Sequence, residues 1–397
     1  MSEYDIIKAA VYTPTRAGWG IPAKIEGDVG TGKTAILTEL AEAEGFHLEV
    51  MTLSLLESVE AQGFPYIDET KVANADGLVS KVKEMAYAIP APFQRAARAA
   101  RAIVYLDEMN AAEQRTFAAF MRVVNERHVG AFPLGPNVRF IASVNPIEVA
   151  AAAGGIMLPR AMNNRFCHLK GSAPSVRRWG SWLIGGEGAV DMSMDTPAEA
   201  TEARVMDAWP NVFRRKSSEV LAYLESRPNV LNQQPKTDDI EAFPTPRSWD
   251  MLTRARASGE IFGLGLDDQI AFESGCIGAP AVNEFRAWVR MQDLPSAIEF
   301  LTGKVDFKVD SRRLDRSQAF MIACAVEWSA LTTGKRNPEL HRLAELFGEF
   351  ATRRDALITP MGLLSSKNPI DIKGELLTIP PALKAIFTES SNFKKQV

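Results

Sequence analysis

Gly27-Asp28-Val29-Gly30-Thr31-Gly32-Lys33-Thr34 is the stretch that decides the fold, because it satisfies the phosphate-loop pattern GxxxxGK[ST]. Ala23 to Glu26 ahead of it reads as a strand, and a helix begins near Thr34 with Ala35 in its first turn. That context decides against a glycine-rich turn that matches by accident. Gly27, Gly30 and Gly32 are expected to take positive φ and turn successive amides inward, which makes a concave anion site at a helix N-terminus. Lys33 is then expected to reach β- and γ-phosphate oxygens as a point charge, and the Thr34 hydroxyl to fill one position around Mg²⁺.

Working outward, Ile103-Val104-Tyr105-Leu106 is an unbroken apolar run of the kind that suits a strand covered on both faces. Asp107 and Glu108 close it. Two acids at a strand end also serve to cap a following helix, but after a phosphate loop they read as a Walker B element. Asp107 is expected to orient the Mg²⁺ shell and Glu108 to polarise the attacking water. The pattern predicts a helix from Ala111 to Arg127 with Asn110 as its cap and Phe117, Phe120, Met121 and Val124 on one side. His128 to Phe140, punctuated by Gly130, Pro133, Gly135 and Pro136, reads as a β-hairpin. Phe140 to Val144 repeats the buried-strand pattern and ends at Asn145. A turn-forming Asn before Pro146 is the plain alternative. The order phosphate loop, Asp-Glu strand, Asn strand favours a polar group within reach of a γ-phosphate or a lytic water.

The alternation of short apolar runs with helical stretches from Ile21 to about Leu169 argues for a parallel sheet built from βαβ units. Beyond Gly171 strand signals fade. Val176 to Leu183, Val212 to Leu224, Ser248 to Ala257, Ala319 to Leu331 and Pro338 to Phe350 read as helices, with turn-rich joins at 185–197 and 228–246 and a frayed Pro- and Lys-containing tail. The expected division is a nucleotide-binding α/β domain over 1–171, a helical lid over 172–294 and a helical C-terminal extension over 295–397. The chain has 397 residues, 45 basic against 49 acidic, with a formal charge of −4, so no general pull toward nucleic acid or an anionic membrane is expected. No run is long and apolar enough to span a bilayer, and the start MSEYDIIKAA lacks a signal-peptide pattern, so the expected setting is cytoplasmic. Cys167, Cys276 and Cys324 lie far apart and the four histidines lack metal-ligand spacing, so neither disulfides nor zinc are expected.

The order of these motifs, continued by Leu158-Pro159-Arg160-Ala161-Met162-Asn163-Asn164-Arg165-Phe166 and by Thr245-Pro246-Arg247, resembles the AAA+ ATPases of the MoxR type over about Ile21 to Ala257. The resemblance implies a five-stranded parallel P-loop sheet followed by an all-α lid, ATP and Mg²⁺ as cofactors, and Asn145 as the sensor 1 residue. It implies that Arg165 is an arginine finger reaching the γ-phosphate of a neighbouring subunit, with Arg160 as the second candidate, and hence a homo-oligomeric, hexameric ring. Arg247 is similar to the sensor 2 arginine that contacts nucleotide within its own subunit. Gly27 to Ala35 and Arg247 would bind the nucleotide. The hairpin near Val129 to Val138 and the segment Glu60 to Tyr66, which would interrupt the second helix, are similar to paired insertions of the MoxR, magnesium chelatase and dynein-like branch. Phe64 and Tyr66 are candidates for substrate contact, with local packing about Pro65 as the alternative. The chain departs from the usual pattern at Asp28-Val29 and in its C-terminal extension. By the same analogy its work is to remodel a protein partner, one carrying a von Willebrand factor A domain. A nucleic-acid motor and a nucleotide-gated scaffold are the rival readings. ATP over GTP rests on the absence of an NKxD motif.

Overall fold

The computed structural model describes residues 3–73, 79–152, 155, 157–176, 179–180, 197–236, 242–310, 312–330, 336–350 and 354–365. The chain forms two compact units, Met1–Trp209 with Gln234–Ala279, and Pro210–Gln233 with Pro280–Val397.

In the first unit, helix α1 (Glu3–Val11) and a small ribbon of β1 (Pro14–Thr15) and β2 (Gly18–Trp19) lead into β3 (Ala23–Glu26). With β4 (His47–Thr52), β7 (Ala102–Asp107), β10 (Val138–Val144) and β11 (Cys167–Lys170), β3 forms a five-stranded sheet in the order β11-β3-β10-β7-β4. Every neighbouring pair is parallel. Because β7 and β10 are covered on both faces, their residues are buried almost throughout, as their unbroken apolar runs require. On one face Val104, Leu106, Phe140 and Ala142 pack with Phe93 of α4 (Ala91–Arg98) and with Phe117, Phe120 and Val124 of α5 (Gln114–Glu126). Burying one such phenylalanine contributes about 2 kcal/mol. Helix α2 (Lys33–Glu44) follows the phosphate loop, one residue ahead of the expected start.

One expectation is corrected here. Asn110 does not cap α5, which starts at Gln114 with Glu113 as its N-cap. Asn110 lies in a short 3-10 turn, Met109–Ala111, because its amide is committed to the backbone of Asn145. At the segment expected to interrupt a second helix, α3 (Ser58–Gln62) stops, Gly63 and a ribbon follow, and helix resumes only at α4. That ribbon pairs β5 (Phe64–Ala73) with β6 (Val79–Ala88) antiparallel, from Phe64 opposite Ala88 to Ala73 opposite Val79, and is separate from the main sheet. The expected hairpin is present as β8 (His128–Val129) and β9 (Phe132–Pro133), with Gly130 at positive φ in its turn. Buried Arg127 ties its base down through bonds to the carbonyls of Val138 (2.6 Å) and Trp19 (2.9 Å).

Short helices α6 (Ile147–Ala152) and α7 (Arg160–Asn163) precede β11, and α8 (Pro197–Ser226) follows it. Helix α8 runs from one unit into the other, and Pro210, inside it, is the first residue of the second unit. Within the first unit Glu202 of α8 accepts hydrogen bonds from Arg101 (3.0 Å) and from Arg139, the latter 1% exposed. Helix α9 (Pro246–Ile261) opens with a reciprocal cap between Thr245 and Ser248 and has Pro246 in its first turn, where its missing N–H costs nothing. It is joined to α10 (Leu266–Ile277) by the buried pair Arg256–Glu273, 3.3 Å apart. The second unit holds most of α11 (Ala279–Gln292), then α12 (Ala297–Leu301), α13 (Leu314–Trp328), α14 (Arg336–Gly348) and α15 (Arg354–Ser365), around Phe300, Phe320, Trp328, Phe347 and Met361. The helices expected at 212–224, 248–257, 319–331 and 338–350 correspond to α8, α9, α13 and α14. The expected helix at 176–183, the join at 185–197 and the tail lie largely outside the described residues. Among the described residues no helix is long and apolar enough to cross a membrane.

Candidate active site

The C-terminal ends of β3, β7 and β10 bring the site together. Gly30 (φ 77°) and Gly32 (φ 86°) take the left-handed conformation that the loop needs. Gly27 does not, contrary to expectation. Its constraint is space, since a Cβ there would stand 3.3 Å from the Gly171 carbonyl. Gly32 is the N-cap of α2 and has no side chain to cap with, so the first-turn amides are left for an anion. Thr31 closes the loop by donating to the Asp28 carbonyl at 2.9 Å. Asp28 and Ala35 are exposed, and Val29 is 71% exposed.

Lys33 leads from the loop toward the neighbouring strand. Its ammonium donates to the carbonyls of Gly27 (2.6 Å) and Asp28 (2.9 Å) and to Asn145 Oδ1 (3.3 Å). Partial burial lowers its pKa from the usual lysine value, against the opposing pull of Asp107, Asp28, Glu3 and Glu108. The Thr34 hydroxyl stands 3.5 Å from Asp107 Oδ2. A hydroxyl and a carboxylate so placed are hard-oxygen ligands of the kind Mg²⁺ takes alongside substrate phosphates, so the donor set fits a Mg²⁺–nucleotide.

Several residues that the sequence did not single out hold this cluster. Asp107 Oδ1 accepts from Tyr105 OH (2.9 Å), from the Glu108 amide (3.0 Å) and from Ser143 Oγ. The Glu108 amide also donates to Ser143 Oγ at 3.1 Å, and its backbone is left-handed at φ 52°. Ser54, just beyond β4, donates to Glu108 Oε2 at 2.7 Å. Asn110 bonds both backbone groups of Asn145. Their signal in the sequence was position alone, polar residues next to strand ends that carry chemistry.

The arginines stand elsewhere. Strands β11 and β3 are parallel and in register, Cys167 opposite Ala23 and Lys170 opposite Glu26. Arg165 precedes β11, whereas the phosphate loop leaves the far end of β3, so strand rise separates them by on the order of 15 Å. Arg165 donates to the Ala161 carbonyl at 2.5 Å, while its buried Nε has no hydrogen-bond partner among the described residues. Burial lowers its pKa, and the charge of Arg247 adds to that. Exposed Arg247 begins α9, whose cap Thr245 donates to Asn164 Oδ1 at 2.8 Å. Arg165 and Arg247 thus share one side of the unit. Arg160 donates to the Pro235 carbonyl at 2.9 Å.

Residues 24–166 match the family model of the AAA domain, dynein-related subfamily. No curated protein matches the sequence. Among solved structures, a full-length MCM homolog from Methanopyrus kandleri is similar at 11% identity and a TM-score of 0.38, covering 72% of this chain and 53% of that one. This chain therefore spans about half the length of that protein, and a likeness so loose carries no functional weight. Sheet order, the residues around Lys33 and the family match over 24–166 together give this part of the chain an AAA+ P-loop fold.

Proposed function

We propose that this chain is a MoxR-type AAA+ ATPase that hydrolyses ATP in a homo-oligomeric, hexameric ring and uses the cycle to remodel a protein partner. The observation that carries the reading is a site assembled at one end of the sheet, with Arg165, whose Nε has no hydrogen-bond partner among the described residues, at the other end. Among the described residues, one chain brings together the phosphate loop, the acids and the sensor, whereas Arg165 precedes β11 at the opposite end of the sheet. A second copy supplies the arginine.

In this reading Lys33 would leave its loop carbonyls for the phosphate oxygens, and Thr34 and Asp107 would hold Mg²⁺. When bound, that ion neutralises phosphate charge and orients the oxygens for in-line displacement. Glu108 releases Ser54, accepts a hydrogen bond from the attacking water and takes its proton as the new bond to the γ-phosphorus forms and the bond from that phosphorus to the bridging oxygen breaks, with ADP as the leaving group. Asn145 fixes the water and the γ-oxygens. Arg165 of the next subunit offsets the charge that develops on the transferred group, an effect worth about 10³ or more in rate in other NTPases. The resemblance puts Arg247 on the nucleotide of its own subunit. Its place beside Arg165 supports instead a role on the neighbour's, both cations converging on one triphosphate. The partner class, a protein with a von Willebrand factor A domain, follows the resemblance alone, as does the hexamer. The exposed ribbon β5–β6 is our candidate for partner or substrate contact, through Phe64 and Tyr66 among others.

Steady-state ATP hydrolysis by the wild type and Glu108→Gln, over a range of protein concentrations and with size-exclusion chromatography in ATP, tests this. Turnover per subunit should rise with concentration, vanish in the variant and accompany an ATP-stabilised oligomer. Concentration-independent turnover by a monomer contradicts the shared site, and stimulation by DNA that weakens with salt points to a nucleic-acid motor.

A further inference from the structure

We propose that Asn110 and Ser143 are positioning residues that clamp the ends of β7 and β10 to each other, so that Glu108 and Asn145 act as one rigid pair. The inference rests on the reading that these two residues serve hydrolysis.

The two links run in opposite directions. From the β7 side, Asn110 extends its side chain to Asn145, donating from Nδ2 to the carbonyl at 2.7 Å and accepting the amide at Oδ1 at 3.1 Å. A carboxamide carries one donor group and one acceptor side by side, so it can take both backbone groups of a single residue, which neither a carboxylate nor a hydroxyl can do as well. Asn110 is 4% exposed, so both bonds are made out of water. From the β10 side, Ser143 donates to Asp107 Oδ1 and accepts the Glu108 amide at 3.1 Å. That amide belongs to a non-glycine residue at φ 52°, ψ 42°, a left-handed conformation that side chains disfavour and that must be held by its surroundings.

Each strand thus fixes the catalytic residue of the other. Neither Asn110 nor Ser143 needs to touch substrate. Their effect is on aim: a displacement of about 1 Å between a water-activating carboxylate and the group that fixes the water costs roughly 10²-fold in rate.

The test compares Asn110→Ala, Asn110→Asp, Ser143→Ala and Ser143→Thr with the wild type and Glu108→Gln. It reads kcat, KM for ATP, affinity for a fluorescent ADP analogue, and melting temperature. Asn110→Asp keeps the shape and the acceptor but loses the donor; Ser143→Thr keeps the hydroxyl. Loss of either link should lower kcat by about 10- to 100-fold while ADP affinity stays within about threefold, and Ser143→Thr should recover most of the rate. A merely structural role would instead lower the melting temperature and leave kcat per folded protein unchanged. If an alanine variant does not fold, Asn110→Asp decides, since it keeps the shape and loses the donor: wild-type kcat in that variant overturns the clamp. Wild-type kcat in both alanine variants, with Glu108→Gln inactive, overturns it alone. Wild-type turnover by Glu108→Gln overturns the assignment of the catalytic pair and the clamp with it.

Discussion

The sheet-end site and the β5–β6 ribbon are built on opposite terms. At the sheet end nearly every polar side chain is committed: Lys33 has three acceptors within 3.3 Å, and Asp107 Oδ1 three donors. The ribbon pairs with itself, leaves Ile67 74% and Met85 67% exposed, and carries loose ion pairs from Glu69 to Lys81 (3.7 Å) and Lys83 (3.8 Å). Register puts Pro65 opposite Tyr87 and Ile67 opposite Met85, so these four lie on one face. A committed polar network fixes geometry for chemistry, whereas exposed apolar surface on a ribbon has value only against something outside this chain. The two regions should therefore answer differently to substitution.

The largest effect belongs to the site. Lys33→Ala should abolish measurable hydrolysis, and pH sharpens the point. Burial lowers the Lys33 pKa, so its charge is lost at a lower pH than that of an exposed lysine at about 10.4. ATP affinity, followed by titration, should then fall as pH climbs toward that value, and Lys33→Arg should flatten the fall. Over the same interval the nucleotide-free protein should gain stability rather than lose it. Between the lowered folded pKa and the ordinary unfolded one the unfolded chain binds more protons, so stability rises with pH. An ATP affinity that holds level in the wild type across this range would place the charge elsewhere.

The smallest effect belongs to the ribbon. Ile67→Ser with Met85→Ser should change stability by no more than about 0.5 kcal/mol, as surface substitutions do, and leave basal ATP turnover intact. Turnover measured with and without partner should show that only the stimulated rate suffers. A fall in basal turnover would break the comparison.

The same contrast governs what the sequence reveals. Gly27 to Thr34, Asp107-Glu108 and Asn145 were legible because phosphate binding demands particular residue types at fixed spacing beside buried strands. The supports were not. Asn110 reads locally as a helix cap, and only the parallel pairing of β7 with β10, a contact between distant segments, turns it toward Asn145. Ser143 and Ser54 are small polar residues with no motif of their own. The ribbon was missed because Pro65 weakens its first strand signal and its second strand, Val79–Ala88, shows no apolar/polar alternation, Lys81 and Lys83 falling at the same period as Met85 and Tyr87. Arg247 was assigned by motif position, and its neighbourhood with Arg165 depends on how α9 seats against Asn164.

The central claim, that each site is completed by a second copy, is tested most directly by mixing two inactive proteins. Arg165→Ala keeps a full phosphate loop and Glu108, while Glu108→Gln keeps its arginine. Each alone should bind ATP and scarcely hydrolyse it. Mixed and assembled in ATP, they should recover hydrolysis, since some interfaces then pair an intact Glu108 with an intact Arg165. Full turnover by Arg165→Ala alone, or no recovery in mixed oligomers that demonstrably contain both proteins, would contradict the account.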